Sequence, residues 1–72
     1  MEKFSRAKLL MHRKAAGLSH VKLAHKMNLL IGPNTIARIE SGRAKRAPTL
    51  DVAIAIAKAL NVSLKDLTDA KS

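Results

Sequence analysis

The chain has 72 residues, 14 Lys and Arg against 5 Asp and Glu, a formal net charge of +9, and no cysteine. So short a chain supports one small folding unit and excludes a multidomain enzyme; without cysteine there is neither a disulfide framework nor a thiolate zinc site. Hydrophobic residues make up 47%, too many for a basic disordered tail, so the chain is expected to fold.

From Ser5 to Ala16 there is no Pro or Gly and good helix formers dominate. A first helix is predicted over about 5 to 15, with Gly17 as its left-handed cap. Ser19 is a suitable N-cap for a second helix over about 20 to 27, with Leu23, Ala24 and Met27 at helical spacing and Asn28 tolerating the left-handed end. After Leu29-Leu30-Ile31, Gly32 and Pro33 open a third helix over about 33 to 41, because Pro loses nothing at a first helical position whose N–H is unpaired anyway. Gly42 stops it, and 43 to 48 is a basic loop.

Thr49 caps a fourth helix whose Leu50, Ala53, Ile56, Ala57 and Leu60 share a face, closed by Asn61. Ser63-x-x-Asp66 is a capping-box variant and predicts a short fifth helix with Leu64 and Leu67 inward; a tail from about 69 is expected to fray. With no internal repeat and no strand-like alternation, the expected fold is all-α, a compact five-helix bundle forming one domain over 1–72.

The charge is unevenly placed. Residues 1 to 46 hold eleven Lys and Arg against Glu2 and Glu40, whereas 47 to 72 hold three of each sign. A basic face beside a neutral packing or association region is the electrostatic footprint of a polyanion binder. A single aromatic, Phe4, argues against base-stacking modules for single strands or RNA.

The third helix carries the sharpest signal. At about 100° per residue, Asn34, Arg38 and Ser41 share one face while Ile36 and Ile39 lie roughly opposite. Such a helix can lie in a major groove while its apolar back packs on the second helix; Asn matches adenine and Arg matches guanine through paired hydrogen bonds. Asn34 and Arg38 are therefore the expected base readers.

The stretch Gly17-Leu18-Ser19-His20-x-x-Leu23-Ala24, then Asn34-Thr35-Ile36-Ala37-Arg38-Ile39-Glu40-Ser41-Gly42, Pro48-Thr49-Leu50, and Ile56 through Leu64 to Leu67 resembles the Cro and phage-repressor (XRE-type) helix-turn-helix family, over about 17 to 67. The resemblance implies a lambda-repressor-like fold with its helix-turn-helix over about 19–41. It also implies an operator-binding regulator, expected to be a repressor and a homodimer on inverted-repeat double-stranded DNA. Pro33, Ala37 and Ser41 join the base-reading set, Pro33 by apolar contact with a thymine methyl. Arg43, Lys45 and Arg46 fall where the family grips phosphates; Ser19, His20, Lys22 and Thr35 are further phosphate candidates, with Lys26 a secondary one. His20 stands where the family commonly places Gln. Arg13 and Glu40 match a structural ion pair that stops the acid from repelling phosphate. Ile54, Val62 and Leu64 are the expected dimer contacts, in the charge-neutral half.

One spacing departs from the pattern: Leu23-Ala24 to Ile36 runs two residues longer than is typical, an insertion within Leu29 to Gly32. The chief alternative is an antitoxin-like interaction protein that docks a partner through its fourth and fifth helices, where Val52 and Ile54 lie off the inward stripe. A membrane-active first helix is disfavoured because Phe4, Leu9, Leu10 and Met11 form no clean stripe. Five scattered acids and three unclustered His offer no catalytic or metal constellation. With no signal peptide and no spanning segment, the expectation is a cytoplasmic, nucleoid-associated protein without cofactors.

Overall fold

A computed structural model describes residues 3–44 and 47–69. In chain order it contains β1 (Lys3–Phe4), α1 (Arg6–Ala15), α2 (His20–Lys26), α3 (Pro33–Ser41), α4 (Leu50–Leu60), a one-turn 3-10 helix (Leu64–Leu67) and β2 (Thr68–Asp69). Helices α1, α2 and α4 start where a short side chain satisfies an orphan N–H. Ser5, Ser19 and Thr49 accept from the backbone N–H of Lys8, Lys22 and Val52 respectively, and α3 opens on Gly32-Pro33. Each ends on a reversal: Gly17 (φ +71°) lets the Leu18 N–H return to the Arg13 carbonyl, and Asn61 (φ +58°) lets Val62 return to Ala57.

The expected fifth helix is a four-residue 3-10 turn, so among the described residues the bundle holds four α-helices rather than five. The chain has no room there for an i→i−4 ladder: Asn61 has just reversed it, and the Leu67 carbonyl is taken by the Ser5 N–H at 2.7 Å. Ser63 and Asp66 do cap it, the Asp66 carboxylate accepting from the Ser63 backbone N–H and hydroxyl at 3.0 Å each. Those bonds, the backbone N–H foremost, hold the Asp66 carboxyl below its ordinary pKa.

The second departure is a two-stranded antiparallel sheet, with Lys3 opposite Asp69 and Phe4 opposite Thr68. Two-residue strands are too short to show a period of two in sequence. Asp69, expected at the start of a fraying tail, is instead held by strand pairing and by Lys8, whose Nζ reaches the Asp69 carboxylate at 3.1 Å and the Thr68 carbonyl at 2.6 Å.

The core joins Leu9 of α1, Leu23 and Ala24 of α2, Ile36 and Ile39 of α3, Ile56, Ala57 and Leu60 of α4, and Leu67. Met27 closes it at the end of α2. Phe4, Val52 and Val62 are half-buried against this cluster, so Val52 belongs to the core margin rather than to an outward patch. Within α1, Leu9 is fully buried while Met11 is exposed, so the helix buries one line of apolar residues and no second stripe remains. No helix among the described residues is long and apolar enough to cross a membrane.

Candidate nucleic-acid interface

Burial of Ile36 and Ile39 sets the roll of α3, and that roll decides which residues face outward. Asn34, Thr35, Arg38 and Ser41 are exposed, and Pro33 and Ala37 are half-buried along their margin. The exposed face is thus polar and carries Arg38 as its one charged side chain. The Ser41 hydroxyl donates to the Arg38 carbonyl at 3.2 Å, which occupies its proton within the helix and leaves its lone pairs outward. Ser19 uses its oxygen as the α2 cap and keeps its own proton available.

Behind this face lies a three-residue cluster. Arg13 Nε donates to Glu40 Oε2 at 2.6 Å and Nη2 to Oε1 at 3.0 Å, while Nη1 donates to the Leu18 carbonyl at 2.7 Å. The third member is His20, whose Nε2 lies 3.0 Å from Glu40 Oε1. Side chains of Arg13 and Glu40 are 10% and 7% exposed, that of His20 36%. Burial alone pushes the Glu40 carboxyl upward; the hydrogen bonds and charges of Arg13 and His20 outweigh it, so the net shift is downward and the acid is held as carboxylate. One buried carboxylate therefore ties α1, the first residue of α2 and the last turn of α3 together.

Lys22 and Lys26 on α2 and Arg43 beyond α3 are exposed, on or beside the helices this cluster joins. Lys45 and Arg46, expected as phosphate clamps, lie outside the described residues. No local pattern in the sequence marks Arg6: a Cβ at Gly42 (φ +80°) would coincide with its guanidinium, so Arg6 crosses from α1 onto the cap of α3.

Helix α3 is thus locked through its last turn, with its polar face outward and its apolar back turned into the core. A family model described as helix-turn-helix matches residues 9–67. The chain belongs to the helix-turn-helix family. Searches of curated proteins and of solved structures gave no match. Family membership agrees with the Cro and repressor resemblance and makes the chain a DNA-binding domain of the transcription-regulator class. In this helix-turn-helix, α2 and α3 are joined by 27–32, with Asn28 and Leu29 both left-handed at φ +56° and +58°. Asn28 suits that conformation; Leu29, 56% exposed, occupies it with little burial in return. After these two successive reversed residues α3 starts at Pro33, as expected.

Away from this face, the expected dimer residues do not form one exposed patch. Val62 is half-buried on the core, Ile54 is 37% exposed, and Leu64 is half-buried beside Leu50, which is 65% exposed. An open groove of about 850 Å³ runs here, lined by Phe4, Pro48, Leu50, Ala53 and Leu64 among others. Among the described residues, no group of three or more His, Asp or Glu is placed to hold a metal ion.

Proposed function

We propose that the chain acts as one helix-turn-helix domain, a sequence-specific repressor that lays α3 in the major groove of duplex DNA. The observation that carries this reading is the outward polar face of α3, Asn34, Thr35, Arg38 and Ser41, fixed from behind by the Arg13–Glu40–His20 cluster. Arg38 pairs with guanine and Asn34 with adenine, Pro33 and Ala37 supply apolar contact, and Ser19, His20, Lys22, Thr35, Arg43, Lys45 and Arg46 grip phosphates. Neutralising Glu40 inside the fold leaves the whole basic excess of the first 46 residues to attract the duplex.

The second contact surface is the apolar margin of α4 and the 3-10 turn, where Leu50 and Ile54 are exposed. We assign it to a second copy of the chain bound on an inverted repeat, with docking of a different protein as the alternative occupant. Selection of bound duplexes from a random-sequence pool tests the reading. An inverted-repeat consensus supports it; recovery of unenriched sequence overturns the specific-regulator reading.

A further inference from the structure

His20 enters the cluster as a residue that changes charge, and its place carries a consequence beyond DNA binding itself. Its Nε2 faces Glu40 Oε1 at 3.0 Å, and Glu40 is held as carboxylate, which only accepts hydrogen bonds. A neutral imidazole must therefore put its one proton on Nε2 and leave Nδ1 a bare lone pair. Nδ1 has no protein partner among the described residues, and the side chain is 36% exposed. A bare lone pair repels a phosphate oxygen. Only the imidazolium can donate to Glu40 and to a phosphate at once.

The charge count points the same way. Arg13 and Glu40 already neutralise each other, so a proton on His20 leaves the cluster with one uncompensated positive charge. The charged groups facing His20 are Glu40 from α3 and, across that carboxylate, Arg13 from α1. α4 also packs on α2, and its charged residues, Asp51 and Lys58, are both exposed; on its own helix Lys22 lies two residues on. Among the described residues no second carboxylate is paired with His20 to balance the added charge, whereas a DNA phosphate does.

We propose that His20 is a proton-linked phosphate contact: it takes up a proton as Nδ1 meets the DNA backbone, so duplex affinity rises as pH falls through the range in which imidazoles titrate. This rests on the duplex-DNA reading above. A glutamine side chain, which the resemblance leads one to expect at this position, carries a neutral donor and binds phosphate with no such dependence.

The test measures affinity of the intact chain for a duplex enriched from a random pool, at constant ionic strength, from pH 8 to pH 5.5. Full linkage of one proton gives up to about a tenfold gain per pH unit for each bound head. His20→Gln, which keeps a neutral donor beside the intact Arg13–Glu40 pair, is expected to flatten that gain. The double substitution of His12 and His25 by Gln is expected to retain it. Nuclear magnetic resonance of the His20 ring adds an independent reading, with its titration midpoint moving up when duplex is added. Binding with the same pH slope in His20→Gln as in the natural chain overturns the inference and leaves the DNA reading standing. Absence of duplex binding at every pH overturns the DNA reading itself.

Discussion

Arg13 meets Glu40, 27 residues away, with two donors on two oxygens at 2.6 and 3.0 Å, while its third donor closes the α1 cap through the Leu18 carbonyl. The pair is nearly buried, so neither partner can fall back on water if the other is removed. Arg13→Ala is expected to cost about 3–5 kcal/mol, the range for breaking a buried pair, against little change for an exposed cation such as Lys14→Ala. At about 4–8 °C of melting temperature per kcal/mol for a domain of this size, the loss is plain in a thermal scan. Adding Glu40→Ala should recover part of it, since the orphaned carboxylate goes too. Equal melting of Arg13→Ala and Lys14→Ala would show that the bridge contributes nothing.

The same geometry sets an acid limit. The folded Glu40 has a pKa below that of the unfolded chain, so its stabilisation is complete above about pH 4.3, the ordinary glutamate value. It is lost as pH falls through the lowered folded value. Melting temperature is therefore expected to drop from about pH 4.3 downward, and Glu40→Gln to show a lower but flatter profile over that window. Parallel profiles for the two proteins would assign the acid sensitivity to other carboxylates, Asp66 first among them.

Much of this fold was legible because its helix ends are local chemistry: Ser19, Gly17, Thr49 and Asn61 each do within four residues what their side chains or backbones favour. The Arg13–Glu40 pair came from resemblance, since nothing local links positions 27 apart. His20 on Glu40, Arg6 over Gly42 and the pairing of Lys3–Phe4 with Thr68–Asp69 were not legible. Each joins residues distant in sequence through one side chain or two residues of strand, below what periodicity can register.

The left-handed Leu29 offers a test of stored strain. A non-glycine residue at positive φ costs about 1–2 kcal/mol, and this side chain is too exposed to repay that by burial. Leu29→Gly is expected to raise stability by about 1 kcal/mol, whereas Gly42→Ala, at φ +80° under the Arg6 guanidinium, should lower it. Destabilisation by Leu29→Gly in a denaturant titration would mean that the leucine packs against something beyond the turn.

On the duplex, base reading and phosphate gripping should separate cleanly. Arg38→Ala and Asn34→Ala are each expected to cost about 1–3 kcal/mol at the selected site and to relax preference at one position, with nonspecific binding nearly kept. Arg43→Ala, Lys45→Ala and Arg46→Ala should instead weaken all sequences alike and shallow the salt dependence by about one per lost contact. Loop substitutions that change base preference while those of α3 do not would place the reading surface elsewhere.

The last prediction concerns stoichiometry. One nine-residue helix such as α3 spans only a few base pairs, so under the duplex-DNA proposal useful selectivity asks for two heads about 34 Å apart, one turn of the duplex. The first 46 residues carry all of the excess charge, so two copies meeting there would repel; the neutral half, with Leu50 and Ile54 outward, does not impose that cost. Because Val62 is already committed to the core and Leu64 is half-buried, the apolar area left for association is small and the dimer is expected to be weak without DNA. Sedimentation should show monomer alone and two chains per selected inverted repeat. Ile54→Lys is expected to abolish the second binding step while leaving the affinity of one head for a half-site unchanged. A one-to-one complex on a site without symmetry would defeat the dimer and transfer the Leu50–Ile54 surface to a different protein partner.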